Sequence, residues 1–219
     1  MRSKRIRGLY AVTPETLDSD WLYARAKAVV AGGARMVQYR SKGVDARCRR
    51  QQAGRLAELC GAEGALLIIN DDVALARELS ADGVHLGRED MPVADARTAL
   101  GSRALIGVSC YDSLARAREA QSEGADYVAF GSFFPSGVKP GAVRAPLELL
   151  HAARVVIDLP VVAIGGITPE NGRAVVEAGA DALAVISSLF YVPDSYLTAQ
   201  AFTAMFEAPD EPPSITSDR

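Results

Sequence analysis

The chain has 219 residues, of which 49% are hydrophobic and 23% are charged, and its formal net charge is −3 at pH 7. This length fits one domain, and the apolar share is enough for a sizeable core. The slightly acidic balance excludes a general attraction to nucleic acid or to an anionic membrane. We therefore predict neither of these partners, and any anionic ligand must be held by local groups.

Two further features of the sequence concern its compartment. The apolar stretch at residues 8–12, after the basic start, is too short for a signal peptide, and no stretch is long enough to span a membrane. The three cysteines, Cys48, Cys60 and Cys110, lack paired or metal-binding spacing, so we interpret them as reduced thiols. Together these features predict a cytoplasmic protein.

Eight short apolar runs alternate with longer segments of helical period. They span residues 9–12, 36–39, 66–69, 83–86, 104–108, 127–130, 161–164 and 182–186. Nearly continuous apolar runs of this length are typical of parallel strands that are covered on both faces. Between the runs, apolar residues recur at helical spacing, as Leu22, Ala26 and Val29 do.

Gly-Ala pairs precede four of the runs, at residues 33–34, 64–65, 124–125 and 179–180. Glycine fits the left-handed position after a helix, so each pair marks a turn into the next strand. Thr168 and Pro169 are predicted to start another helix as its N-cap and first residue. The pattern predicts one α/β domain over residues 1–207, a (β/α)₈ TIM barrel, with a disordered tail at 208–219. An open doubly wound sheet is the alternative.

Polar residues cluster where these strands are predicted to end, which in a barrel is the active-site face. Such residues fall at 38–42, 70–72, 87–90, 109, 131–141, 165–166 and 186–188. Their convergence on one rim predicts a ligand site. The sequence lacks a nucleophile–His–carboxylate set, a Cys/His metal cluster and a phosphate loop. This favours cations around a phosphate over chemistry that needs a dedicated base.

The charged residues of the rim fit a polyphosphate. Arg40, Lys42 and Lys139 could surround it, although each alone is more often a surface cation. Asp71 and Asp90 follow neighbouring predicted strands, so their carboxylates could share one Mg²⁺ that also binds phosphate oxygens. Each aspartate could instead cap the helix that follows it.

The last two strand ends fit a second phosphate site. Gly165 and Gly166 would expose backbone N–H groups, and Ile186 and Ser187 would open a short helix towards the anion. A tight turn explains the two glycines equally well. His85 lies within the fourth run, and we interpret it as a hydrogen-bonded core histidine rather than a general base.

In these motifs the chain resembles the thiamine phosphate synthase family over roughly residues 8–206. The matching stretches are residues 8–14, 37–42 (Val-Gln-Tyr-Arg-Ser-Lys), 67–72 (Leu-Ile-Ile-Asn-Asp-Asp), 83–87, 89–90, 106–109, 131–139, 162–167 and 184–187. The ordered set is specific, whereas single pieces such as residues 163–166 recur in many barrels.

The resemblance implies a transferase that joins 4-amino-5-hydroxymethyl-2-methylpyrimidine diphosphate to 4-methyl-5-(2-phosphoethyl)thiazole and releases pyrophosphate. It also implies a dissociative mechanism, in which pyrophosphate leaves before the thiazole nitrogen attacks. Mg²⁺ is the implied cofactor. The resemblance leaves a homo-oligomer open.

The resemblance also assigns residues to roles. The pyrimidine diphosphate would be held by Gln38, Arg40, Lys42, Asn70, Ser109 and Lys139, and the thiazole phosphate by Ser136, Gly166, Ile186 and Ser187. Tyr39, Ser41, Gly137 and Val138 complete the substrate-binding segments. The implied Mg²⁺ ligands are Asp71 and Asp90, and the implied catalytic residues are Arg40, Lys42, Ser109 and Lys139.

Four positions depart from the family pattern. Ser41 stands where an acidic residue is usual, Arg88 where glutamine is usual, and Val138 lacks a hydroxyl that is often present. Ser132 replaces a frequent proline, at a place where related thiazole tautomerases can carry a catalytic histidine. No histidine occurs in residues 131–141, which counts against a tautomerase.

Two alternatives therefore accompany the synthase hypothesis. A thiazole tautomerase-like isomerase would not need the diphosphate site, so the joint presence of the rim cations and aspartates argues against it. A non-catalytic phosphate-binding barrel is kept open by Val138 and Arg88.

Overall fold

The computed structural model describes residues 6–135 and 144–207 and confirms the predicted barrel. Eight parallel strands close in chain order, with the last paired to the first. The strands are β1 (Gly8–Val12), β2 (Met36–Tyr39), β3 (Leu66–Asn70), β4 (Gly83–Leu86), β5 (Leu105–Tyr111), β6 (Tyr127–Phe130), β7 (Val161–Ile164) and β8 (Ala182–Val185). The closed barrel excludes the open doubly wound sheet.

Helices follow the strands and form the outer layer. They are α1 (Ser19–Ala31), α2 (Ala46–Glu63), α3 (Val73–Glu78), α4 (Val93–Leu100), α5 (Leu114–Ser122), α6 (Glu148–Val156), α7 (Gly172–Glu177), α8 (Ser187–Phe190) and α9 (Ser195–Thr203), with a 3₁₀ helix at Ala204–Phe206. Among the described residues, no helix combines the length and apolarity that crossing a membrane requires.

The strands are apolar throughout because each has two buried faces. Leu9 and Ala11 of β1 pack outward against the helices, whereas Tyr10 and Val12 point into the barrel. The same alternation runs round the sheet, since successive side chains of a strand face opposite sides. It therefore decides which polar residues of the strands face the barrel interior.

The turns between helices and strands are as predicted at the four Gly-Ala pairs, where Gly33, Gly64, Gly124 and Gly179 all have positive φ. The prediction for Thr168 is wrong. Helix α7 begins at Gly172. Before it, the backbone N–H of Gly172 donates to the Thr168 carbonyl, and the Asn171 side chain accepts from the Thr168 N–H. These bonds close a separate turn before the helix.

The predicted tail at residues 208–219 lies outside the described residues, so the boundary of the domain at residue 207 stays a prediction. Cys48, Cys60 and Cys110 are free thiols, as expected. His151 lies on α6 and is exposed.

Candidate active site

Three polar side chains of the strands point into the mouth of the barrel. Gln38 on β2, His85 on β4 and Ser109 on β5 occupy inward positions, alternating with outward apolar residues. Gln38 and His85 are buried, and Ser109 is partly exposed. We had expected Ser109 at the end of β5. The strand continues to Tyr111, so Ser109 lies within it.

An acidic pair lies beside this mouth, formed by Asp71 after β3 and Asp90 after β4. Burial raises the pKa of Asp90 above its ordinary value, and the neighbouring Asp71 carboxylate adds to the rise. The N–H of Gly87 donates to Asp90 at 2.6 Å and opposes it. The Lys42 ammonium lies 3.0 Å from Asp71 Oδ2 with 61% of its side chain exposed. A cation is therefore already part of this cluster.

The structure excludes the capping role for both aspartates. Asp72, not Asp71, caps α3, since its carboxylate accepts from the N–H of Leu75 at 2.9 Å. Asp71 has a left-handed backbone (φ 63°), unusual for a residue with a side chain. Asp90 turns back to Gly87, and α4 starts without a side-chain cap. Neither carboxylate therefore caps a helix, and the prediction that they share a ligand stays open.

The residues at the end of β2 divide between two sides of the sheet. Tyr39 faces the helices, where its hydroxyl donates to Gln52 at 2.8 Å, and burial raises its pKa to about 12. The backbone N–H of Arg40 donates to the buried Thr13 hydroxyl at 2.9 Å, which fixes the chain at the start of the rim. The structure places Tyr39 away from the barrel interior.

A cavity of about 300 Å³ lies on the outer side of the acidic pair. It is lined by Tyr39, Ser41, Lys42, Arg49, Ile69, Asn70, Asp71, Asp72 and Leu75. The Ser41 Oγ and the Arg49 Nε are buried and have no hydrogen-bond partner among the described residues. The cavity joins Ser41, Lys42, Asn70 and Asp71, so these predicted site residues do lie together.

A second cavity, of about 150 Å³, lies at the ends of β7 and β8 and contains Gly166, Ile186 and Ser187. Gly165 and Gly166 have φ of +105° and +64°. A side chain on either would collide with residues 132–135, whose backbone crosses directly above. The two glycines are therefore required by packing, and α8 opens at Ser187 beside them, as predicted.

The predicted residues Ser136, Gly137, Val138 and Lys139 lie outside the described residues, which resume at Arg144. Their assigned roles stay predictions. Pro135, the last described residue before them, lines the second cavity.

Two interior residues escaped the sequence reasoning. The Tyr10 and Tyr127 hydroxyls lie 2.8 Å apart, and Gln38 Nε2 donates to Tyr10 at 2.8 Å. His85 contacts Tyr127 through Nδ1 at 3.1 Å and Ser109 through Nε2 at 2.9 Å. Both tyrosines stand in apolar runs and looked like ordinary core residues, but an inward tyrosine needs a partner for its hydroxyl. That requirement is the signal that could have identified them.

The interior polar groups are electrically neutral. Burial raises the pKa of Tyr10 and of Tyr127 well above the ordinary value for a phenol. Burial lowers the pKa of His85 to about 4, although the nearby Asp90 carboxylate opposes the shift. The expectation that His85 is a hydrogen-bonded core histidine is therefore confirmed, with Ser109 as one of its partners.

Comparison with known proteins shows which family the chain is similar to. Residues 9–189 match the family model described as thiamine monophosphate synthase. The chain is 54% identical over 205 residues to the thiamine-phosphate synthase of Thioalkalivibrio sulfidiphilus, covering 93% of this chain and 97% of that one. It is 55% identical over 203 residues to the thiamine-phosphate synthase of Azoarcus sp. strain BH72, with 93% and 98% covered.

A solved structure shows the same similarity. The thiamine phosphate pyrophosphorylase from Pyrococcus furiosus superposes with a TM-score of 0.83 at 33% sequence identity, covering 93% of this chain and 96% of that one.

Proposed function

The chain belongs to the thiamine monophosphate synthase family and is a thiamine-phosphate synthase, a transferase that releases pyrophosphate, and from this premise we propose how its own residues divide the work. The rim of β2 to β6 binds the pyrimidine diphosphate. The rim of β7 and β8 binds the thiazole phosphate. One observation carries this division. Asp71, Asp90 and Lys42 form a charged cluster at one part of the rim, and the second cavity lies at another part, at the ends of β7 and β8.

The acidic pair suits Mg²⁺. Two neighbouring carboxylates, of which Asp90 has a raised pKa, and an ammonium that pairs with Asp71 make a site that favours positive charge. Mg²⁺ commonly takes one or two protein carboxylates together with water and substrate phosphate oxygens. When bound, the ion would neutralise charge on the leaving pyrophosphate. Asp71 and Asp90 would hold it.

The remaining rim residues hold the diphosphate and stabilise its departure. Arg40, fixed through Thr13, and Lys42, largely exposed, supply positive charge from the end of β2. Lys139 would add a third cation. Charge that develops on the leaving group is stabilised by these groups without a proton transfer, which fits the dissociative order of steps. The thiazole nitrogen has a free lone pair, so its attack needs no base.

The second cavity would hold the thiazole phosphate by backbone N–H groups. Ser187 stands at the N-terminus of α8, and Gly166 lines the same cavity. Backbone N–H groups at a helix start are suited to an anion. The thiazole phosphate would therefore bind apart from the diphosphate, with the mouth of the barrel between the two sites.

Two-substrate kinetics test this division. Ser187→Asp places a carboxylate where the thiazole phosphate would bind, although an acidic residue in the first turn suits the helix itself. We expect the KM for the thiazole phosphate to rise by about tenfold or more, with the KM for the pyrimidine diphosphate unchanged. Ser187→Asn is the matched neutral control.

Arg40→Ala should give the opposite pattern and raise the KM for the pyrimidine diphosphate. The assay supplies both substrates with Mg²⁺ and measures thiamine phosphate and pyrophosphate. Equal effects of Ser187→Asp on both KM values would contradict the two-site division.

A further inference from the structure

The interior hydrogen bonds form one unbroken chain across the barrel. It runs from Gln38 through Tyr10, Tyr127 and His85 to Ser109, with heavy-atom distances of 2.8, 2.8, 3.1 and 2.9 Å. Its two ends are residues that the resemblance assigns to the pyrimidine diphosphate, and they stand on β2 and β5. The three residues between them are buried and have no assigned role.

The register of the sheet explains how the chain crosses the barrel. His85 of β4 pairs with Gly107 of β5, and Gly107 pairs with Tyr127 of β6. A side chain on Gly107 would overlap the Tyr127 ring, so glycine there lets the tyrosine lie over β5. The rings of His85 and Tyr127 are stacked with centroids 5.6 Å apart. The close approach of these two residues is therefore built into the packing.

Each hydrogen bond in this chain has one donor and one acceptor, and assigning them shows which way each proton points. Gln38 donates to the Tyr10 oxygen through Nε2, which cannot accept a hydrogen bond, so within the chain the Tyr10 proton can go only to Tyr127. The Tyr127 proton must then go to Nδ1 of His85. A ring that accepts at Nδ1 carries its proton on Nε2, and Nε2 donates to the Ser109 oxygen. The proton of the Ser109 hydroxyl is then not used within the chain and is available to another acceptor.

We propose that Tyr10, Tyr127 and His85 are positioning residues that set the polarity of the pyrimidine site: they make Ser109 a hydrogen-bond donor to the substrate and turn the carbonyl oxygen of Gln38 towards it as an acceptor. A pyrimidine with an amino group beside a ring nitrogen offers one donor and one acceptor, which this pair complements. The inference rests on the proposed placement of the pyrimidine diphosphate for its functional part, whereas the direction of the chain rests on the structure alone.

The tautomer of His85 tests the direction without any substrate. The protein has only two histidines, His85, which is buried, and His151, which is exposed on α6. ¹⁵N-histidine NMR therefore gives one set of signals for each. We expect the wild-type protein to hold His85 as the Nε2–H tautomer. Observation of the Nδ1–H tautomer in the wild-type protein would overturn the proposal.

Two phenylalanine variants form a matched pair. Tyr127→Phe removes the donor to Nδ1, and we expect the Nδ1–H tautomer of His85 to appear. Tyr10→Phe leaves Tyr127 with His85 as its only acceptor in the chain, and we expect the Nε2–H tautomer to persist. A single Nε2–H tautomer in Tyr127→Phe would contradict the role of Tyr127. If Tyr127→Phe does not fold, the spectra of the wild type and of Tyr10→Phe decide the direction.

Kinetics test the functional part. Tyr127→Phe should raise the KM for the pyrimidine diphosphate by about tenfold, the scale of one misdirected hydrogen bond, and leave the KM for the thiazole phosphate unchanged. In a Ser109→Ala background the same substitution should change it less than about twofold, because the two residues act through one contact. Equal effects in both backgrounds would indicate a merely structural role.

The two readouts separate failure of the inference from failure of the proposed placement. The expected tautomer with no selective effect on the pyrimidine diphosphate would mean that the chain has the inferred direction but that the substrate binds elsewhere. A selective kinetic effect with the Nδ1–H tautomer would keep the placement and overturn the inferred polarity.

Discussion

The two ends of the barrel use aspartate in opposite ways. At the N-terminal ends of the strands, Asp82, Asp126 and Asp181 each come directly before a strand and accept an N–H from the strand before it, at 3.0, 2.9 and 2.7 Å. Asp126 is also paired with Arg97 and Asp181 with Arg154. At the other end, Asp71 and Asp90 face each other, and the pKa of Asp90 is raised.

The difference teaches where stability and function lie in this fold. The carboxylates at the N-terminal ends all accept from a backbone N–H of the neighbouring strand, and those of Asp126 and Asp181 also pair with an arginine, so they hold adjacent strands in register. At the C-terminal ends, the carboxylates of Asp71 and Asp90 repel each other, and the Lys42 side chain that pairs with Asp71 is largely exposed. A barrel keeps its ligand site at the C-terminal face and its stabilising contacts at the other. Substitutions at the two ends should therefore separate activity from stability.

The largest effect is expected for Asp71→Asn. Losing one carboxylate of the proposed Mg²⁺ site should lower turnover by about 10³-fold, on the scale of losing preorganised stabilisation of a leaving group. It should also abolish the rise in Tm on adding Mg²⁺ with pyrophosphate, which binding to the folded state produces. Asp112→Asn, an exposed aspartate at the same end, is the control. Wild-type turnover in Asp71→Asn would remove Asp71 from the site.

Lys139→Ala comes next, with an expected loss of turnover of about 10²-fold from one missing cation. Its position outside the described residues makes this a test of the family resemblance. The Tm of the free protein should not change. Steady-state kinetics with both substrates measure the effect, and an unchanged kcat would rule out the assigned role.

Asp181→Ala tests the opposite end. It leaves the Val161 N–H without its acceptor and removes the carboxylate partner of Arg154, which keeps the Gly179 carbonyl. The free energy of unfolding should therefore fall by about 2–3 kcal/mol while kcat/KM of the folded protein stays the same. Asp181→Asn, which keeps an acceptor for the N–H, should lose less. Urea denaturation measures both. A loss of activity without a loss of stability would break the contrast between the two ends.

The smallest effect is expected for Asp90→Asn in the metal-free protein. A carboxyl pKa raised in the folded state means that the folded protein binds the proton more tightly than the unfolded chain. Stability is therefore lost as pH rises from the unfolded pKa through the folded one. Asn cannot ionise but can still accept from Gly87, so Tm above this window should rise by a few degrees. Melting curves across the acid range would show whether the pH dependence disappears.

Much of the fold followed from local patterns. The runs at residues 36–39, 83–86, 127–130 and 161–164 coincide with β2, β4, β6 and β7, because a strand buried on both faces is apolar throughout. Thr168 was misassigned because its carbonyl and N–H enter a turn with Asn171 and Gly172, a choice that the Thr-Pro pair does not reveal. The extension of β5 past Ser109 involves an irregular pairing with β6, which sequence period also misses.

Which residues meet was decided by tertiary structure. The sequence by itself determined the eight units, the end of each strand that carries polar residues, and the family. It could not show that Asp72 rather than Asp71 caps α3, that Tyr39 turns to the helices, or that His85 reaches Ser109. The choice between Asp71 and Asp72 follows from the left-handed backbone of Asp71, which no sequence pattern shows. Tyr39 meets Gln52 because α2 packs against β2, and His85 meets Ser109 because β4 pairs with β5, so both contacts depend on packing and register.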